Sequence, residues 1–95
     1  MFLSAYHFDG DPEALLAAYR ALMAGFPPEA IELHLCVARE SGITVFDACP
    51  TRAEFVAFST GADFRAALDA AGLPAPRIEP LGEVHAVRTR AEALL

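Results

Sequence analysis

The stretch LHLCVARESGITVFDACP, Leu33–Pro50, decides the fold, because two apolar, β-branched runs flank the turn-forming residues Glu40-Ser41-Gly42. Ile31–Arg39 and Ile43–Cys49 therefore read as the two strands of a hairpin. The same stretch carries His34, Cys36, Asp47 and Cys49, so its register decides whether these four meet. A two-residue Ser41-Gly42 turn sets His34 opposite Cys49 and Cys36 opposite Asp47, all on one face. A three-residue loop with Gly42 in the left-handed conformation pairs Arg39 with Ile43 and separates them. A type I′ turn demands positive φ at Ser41 as well, so the three-residue loop is expected. It sends Leu33, Leu35, Val37, Val45, Asp47 and Cys49 to one face, and His34, Cys36, Ala38, Phe46 and Ala48 to the other. The first face, being more apolar, is expected to meet the helices, with Asp47 beneath them and His34 turned toward a subunit interface.

Outward from the hairpin, Met1–Phe8 is an apolar run stopped by Asp9-Gly10-Asp11-Pro12. Asp11 fits a helix N-cap and Pro12 the first helical position, where its missing N–H costs nothing. Leu15, Tyr19, Leu22, Met23 and Phe26 then recur on one helical face. Thr51 and Glu54 form a capping-box pattern that starts a helix near residue 52, with Phe55 and Phe58 inward. Ser59-Thr60-Gly61 interrupts it, and Phe64, Ala67, Leu68 and Ala71 continue at helical spacing to Gly72. A last strand is expected over Arg77–Arg88, at an edge or bulge because Pro80 has no amide to donate. Residues 89–95 form a tail that frays or docks on a partner subunit.

The resulting order, β-α-β-β-α-β, predicts an α+β, ferredoxin-like fold: one four-stranded antiparallel sheet with two helices on one face. The other face would be uncovered, yet both pleat faces of MFLSAYHF and ELHLCVA are apolar. A homodimer that packs two sheets into an α/β barrel satisfies both.

Composition agrees with one domain over residues 1–95, since a second core would leave each half too small to offset its chain entropy. A hydrophobic fraction of 55% and a mean hydropathy of +0.34 favour an apolar surface hidden in an oligomer. The net charge of −6, with seven basic residues scattered among thirteen acidic ones, argues against nucleic acid. No run spans a membrane, and the N-terminus lacks the basic start and apolar core of a signal peptide, so a cytoplasmic location is expected. In that reducing compartment the two cysteines are expected as free thiols.

The segments DACPTRAEFVAF and AALDAAGLPAPRIEPLGEVHAVR resemble small actinobacterial proteins of the dimeric α/β-barrel superfamily, a group that includes proteins similar to antibiotic biosynthesis monooxygenases and haem-degrading oxygenases. The resemblance covers most of the chain and implies a homodimer. It implicates His34, Asp47 and His85, with Phe55 and Phe58 as packing. Cys49 stands where the group usually carries tryptophan, which removes one pocket wall. Haem-degrading members place a histidine on a helix, whereas histidines stand here at 7, 34 and 85, all in expected strands.

Candidate chemistry follows from residue types. Asp47 in an apolar strand must be paired or carry a desolvation cost, and such carboxylates mark functional sites as often as structural ion pairs. His85 is the second candidate base, set against a core histidine bonded to a carbonyl. Asp47 and His85 are thus the catalytic candidates. His34, Tyr6, Tyr19 and Cys49 are the ligand-binding ones, the tyrosines through hydroxyls that reach a pocket. The spacings His-x-Cys and Asp-x-Cys match no common zinc pattern, and no flavin motif is present, so no metal or cofactor is expected. The functional expectation is a cofactor-independent, monooxygenase-like enzyme or small-molecule binder with an apolar pocket between sheet and helices. The alternative is a non-catalytic dimerising module that binds a metabolite or a protein.

Overall fold

Asp11 starts the first helix two residues after the first strand ends at Asp9: its Oδ2 accepts from the Ala14 amide at 3.0 Å, with Pro12 in the first turn. A computed structural model describes residues 1–27, 29 and 31–90. Along it run β1 (Phe2–Asp9), α1 (Pro12–Met23), β2 (Leu33–Arg39), β3 (Gly42–Cys49), α2 (Arg52–Ser59), α3 (Ala62–Ala71) and β4 (Arg77–Glu83). The strands form one open antiparallel sheet in the order β2-β3-β1-β4, an α+β arrangement compatible with a ferredoxin-like fold.

The second helical stretch is divided as its sequence implies. Thr51 Oγ1 accepts from the Glu54 amide at 3.1 Å to start α2. At Gly61 a Cβ would lie 2.9 Å from the Ala57 carbonyl oxygen, so glycine lets α3 start close against the end of α2. Gly72 closes α3 at φ 85°, a left-handed conformation that glycine adopts without penalty. Leu15, Phe55, Leu68 and Leu73 from the helical layer bury against Phe2, Tyr6, Phe8, Ile43 and Val45 of the sheet. That single layer of contact is the core.

β4 is shorter than the sequence suggests. It pairs Ser4 with Pro80 and Leu3 with Gly82, so Leu81 is a bulged residue beside the proline on an edge strand. β4 ends at Glu83, and the next amide, that of Val84, donates to the Met1 carbonyl at 2.9 Å. His85 therefore lies beyond the strand and is exposed. Of the expected tail, residues 91–95 lie outside the described residues.

The hairpin departs from expectation by one residue. Arg39 pairs with Gly42, so the loop is Glu40-Ser41 alone. Among the described residues only Gly10, Gly72 and Gly82 have positive φ, so Gly42 is not a left-handed turn residue. Its lack of a side chain serves packing instead: a Cβ there would fall 1.9 Å from the Phe8 carbonyl oxygen of β1. Arg39 fastens the same corner, donating to Thr44 Oγ1 at 2.9 Å and to the Phe8 and Ile43 carbonyls at 3.2 Å each. Because side chains alternate, this shift turns the whole of β2 over. The assignment of β3 stands, with Val45, Asp47 and Cys49 toward the helices. That of β2 is reversed: His34, Cys36 and Ala38 join them, and Leu33, Leu35 and Val37 face outward with Phe46 and Ala48.

Candidate functional site

On the helix-facing side the register lays side chains in rows. His34, Asp47 and Ser4 occupy one row across β2, β3 and β1; Cys36, Val45 and Tyr6 occupy the next. Directly opposed side chains in an antiparallel ladder come within hydrogen-bonding reach, and His34 Nδ1 lies 3.1 Å from Asp47 Oδ1. From above, α1 brings Tyr19, one helical turn beyond the buried Leu15, down onto the same imidazole. The Tyr19 hydroxyl is 2.6 Å from His34 Nε2, and the two rings lie nearly parallel at 15° with centroids 5.7 Å apart. His34 and Asp47 are mostly buried, with side chains 15% and 23% exposed.

Burial, helped by the nearby Cys36 and Asp47, pushes the Tyr19 pKa up, so its phenol keeps the proton and donates it to His34. With a neutral imidazole, that phenol donates to Nε2, and Nδ1–H is then placed to donate to the Asp47 carboxylate. The chain Tyr19–His34–Asp47 has the logic of a hydroxyl–imidazole–carboxylate relay, with a phenol in the first place.

The relay lines a cavity of about 520 Å³ between the sheet and the helices, a size suited to small ligands. Leu22, Phe26, Phe58, Phe64 and Leu73 supply much of its apolar wall. Among the described residues the charged lining is of one sign, consisting of Glu29, Glu32, Asp47 and Glu54, with no arginine or lysine. Tyr6 lies on the cavity floor at 3% exposure, and its hydroxyl has no hydrogen-bond partner. The Ser4 hydroxyl lies close enough to draw the Tyr6 pKa down against the larger effect of burial, but outside hydrogen-bond distance or angle for the Tyr6 hydroxyl, and it donates to the Asp47 carbonyl oxygen at 3.3 Å. Burial pushes the Tyr6 pKa up to about 12.

Cys49 also lines the cavity, and Cys36 stands on the same sheet face; both are free thiols. Burial raises both thiol pKa values, and for Cys49 the carboxylates of Asp47, Glu54 and Glu32 add to the effect, so neither is an activated nucleophile. Among the described residues no three His, Cys, Asp or Glu side chains are grouped as a metal site requires. No described helix is long and apolar enough to cross a membrane.

Of the residues singled out from sequence, Tyr6, Tyr19, His34, Asp47 and Cys49 thus share one cavity, while His85 is not among its lining. Placing His34 at a subunit interface is corrected by the Arg39–Gly42 pairing, which puts it under α1. The acidic lining and the Tyr19–His34 bond are not legible from the sequence, the first because Glu29 and Glu32 lie outside regular elements, between α1 and β2, the second because a helix and a strand meet there. Compared with known proteins, the chain matches no family model, no curated protein and no solved structure.

Proposed function

We propose that this chain is a small-molecule-binding protein of enzyme type, whose cavity takes a compact, mostly apolar ligand and whose Tyr19–His34–Asp47 relay accepts a proton from it. The observation that carries this reading is the pair of hydrogen bonds, 2.6 Å and 3.1 Å, joining the three side chains at the cavity wall. A ligand O–H or N–H donates to the Tyr19 oxygen, the Tyr19 proton passes to His34 Nε2, and Asp47 faces the imidazolium so formed. The ligand is left as an anion beside the His34 imidazolium in a largely apolar site. That is the chemistry cofactor-independent monooxygenases use, in which the substrate's own carbanion reacts with oxygen, and the resemblance noted in the sequence leads to the same class. Asp47 orients the base in this scheme, and His34 takes the place first given to His85.

A ferredoxin-like homodimer belongs to the same proposal. Leu35 and Val37 are 54% and 44% exposed on the outward sheet face, beside Leu33 and Phe46. A two-fold partner laying the same face against them would bury this apolar surface and close a barrel of two sheets.

Native mass spectrometry of protein purified from its own host tests both parts, by reporting the dimer mass and any retained small molecule. The retained molecule, added back to ligand-free protein, is expected to raise the melting temperature of wild type and to do so less in His34→Ala. A monomer that retains nothing, and whose Tyr19 and His34 NMR signals respond to no member of a neutral aromatic fragment set, removes the proposal.

A further inference from the structure

Tyr6 is the buried polar group that the relay does not use. Its phenol is 3% exposed, without a hydrogen-bond partner, and on the floor of the cavity one row from Asp47. A buried hydroxyl normally finds an acceptor, and one that does not is costly to keep. The surrounding charge narrows what could satisfy it. Among the described residues Glu29, Glu32, Asp47 and Glu54 line the cavity with no arginine or lysine, so a ligand that arrives already anionic would meet repulsion and no permanent counter-ion. We infer that Tyr6 is the ligand-orienting donor of this cavity, and that the ligand is an uncharged carbonyl compound whose oxygen accepts the Tyr6 hydrogen bond. The inference rests on the cavity being a ligand site, as proposed above, and adds the ligand's chemical class and the residue that selects it.

The two tyrosines then divide the polar recognition. Tyr19 spends its proton on His34 and offers only oxygen lone pairs, whereas Tyr6 has its proton free and offers a donor. A high phenol pKa keeps Tyr6 neutral at physiological pH, so it remains a donor even when the ligand becomes electron-rich. Ser4 gives its proton to the Asp47 carbonyl, so the ligand oxygen must outcompete only the Ser4 lone pairs for the Tyr6 hydroxyl.

Three probes of one shape separate the possibilities by calorimetric titration: the ketone acetonaphthone, the hydrocarbon ethylnaphthalene and the carboxylate naphthoate. Wild type is expected to bind the ketone roughly tenfold more tightly than the hydrocarbon, the scale of one net hydrogen bond, and the carboxylate more weakly than either. Tyr6→Phe should remove the ketone's advantage and leave ethylnaphthalene unchanged. The carbonyl stretch of bound acetonaphthone, read by infrared difference spectroscopy on wild type, should move to lower frequency. Equal affinity for ketone and hydrocarbon, an unshifted carbonyl, or naphthoate binding as tightly as ketone overturns the assignment of Tyr6 while leaving a ligand cavity in place. Failure of all three probes to bind overturns the cavity reading along with it.

Discussion

His34 and Asp47 are direct cross-strand partners on β2 and β3, and the Nδ1–Oδ1 distance of 3.1 Å leaves Nε2 free to meet Tyr19 from the helix above. Tyr19 and Asp47 are thereby linked through one imidazole. If the three act as a relay, Tyr19→Phe and Asp47→Asn are not independent, because each changes which nitrogen of His34 carries the proton. Each single substitution is expected to cost about 1 kcal/mol, as loss of one partly buried hydrogen bond does. A double-mutant cycle from urea unfolding should give a coupling of at least about 0.5 kcal/mol. Strict additivity would mean that the two bonds are separate contacts.

The register that creates this pairing depends on Gly42. Its Cβ would stand 1.9 Å from the Phe8 carbonyl oxygen, which is backbone and cannot step aside. Gly42→Ala is therefore expected to destabilise the protein by at least about 2 kcal/mol, a backbone clash being one of the few routes to a large single-site effect. Amide exchange should show the loss concentrated where β3 meets β1 at Phe8 and Asp9. Gly10→Ala tests a different cause, since its Cβ would meet only Leu15 carbons at 3.5 Å or more but its φ is 147°. A Gly42→Ala variant as stable as wild type would mean that the corner is built differently.

This glycine also shows how far the sequence could be read. The caps at Asp11 and Thr51, the break at Thr60-Gly61 and the edge placement of Pro80 are local events, each legible from a few neighbouring residues. The hairpin register was not, because Gly42 answers to a strand more than thirty residues away rather than to its own turn. A turn rule sees the φ that glycine permits and is blind to the room that glycine leaves. Asp47 was legible as a buried carboxylate, yet its partner was not, since one residue of register separates His34 under a helix from His34 on the outer face. His85 failed because the strand expected to carry it ends at Glu83, past the bulge at Leu81.

The outward face supplies the test of the dimer. Leu35 is 54% exposed in the single chain, so Leu35→Glu should leave the stability of a monomer within about 0.5 kcal/mol. In a sheet-to-sheet dimer it would bury an unpaired charge at an apolar contact, and sedimentation equilibrium is expected to show monomer for Leu35→Glu and dimer for wild type. A polar patch lies on the same face, where His7 bridges Thr44 at 3.0 Å and Glu79 at 2.9 Å. Those groups are already paired within one chain, so the partner need only cover the apolar part. Wild type sedimenting as a monomer at high concentration would dispose of the dimer.

Alkaline pH offers a test of Tyr6 that needs no ligand. Its phenol titrates near 10 in an unfolded chain and at about 12 in the folded one. Between those values the folded state holds the proton that the unfolded state has released, so stability falls as pH rises. The Tyr6 contribution is complete below pH 10 and is lost as pH climbs through about 12, and a shift of this size corresponds to about 2–3 kcal/mol. Burial also raises the Tyr19, Cys36 and Cys49 pKa values, so their contributions slope the same way and the wild-type curve declines from several groups at once. Tyr6→Phe should flatten the segment between pH 10 and about 12 and keep the remaining decline. At neutral pH the same variant should be as stable as wild type, or more stable by up to about 1 kcal/mol, because it deletes a buried hydroxyl that has no partner. Urea midpoints at pH 7 and across the alkaline range read both effects. A Tyr6→Phe protein that is destabilised at pH 7 by about 1 kcal/mol or more would show that the hydroxyl is satisfied within the fold, and the case for Tyr6 as the free donor of the cavity would be lost.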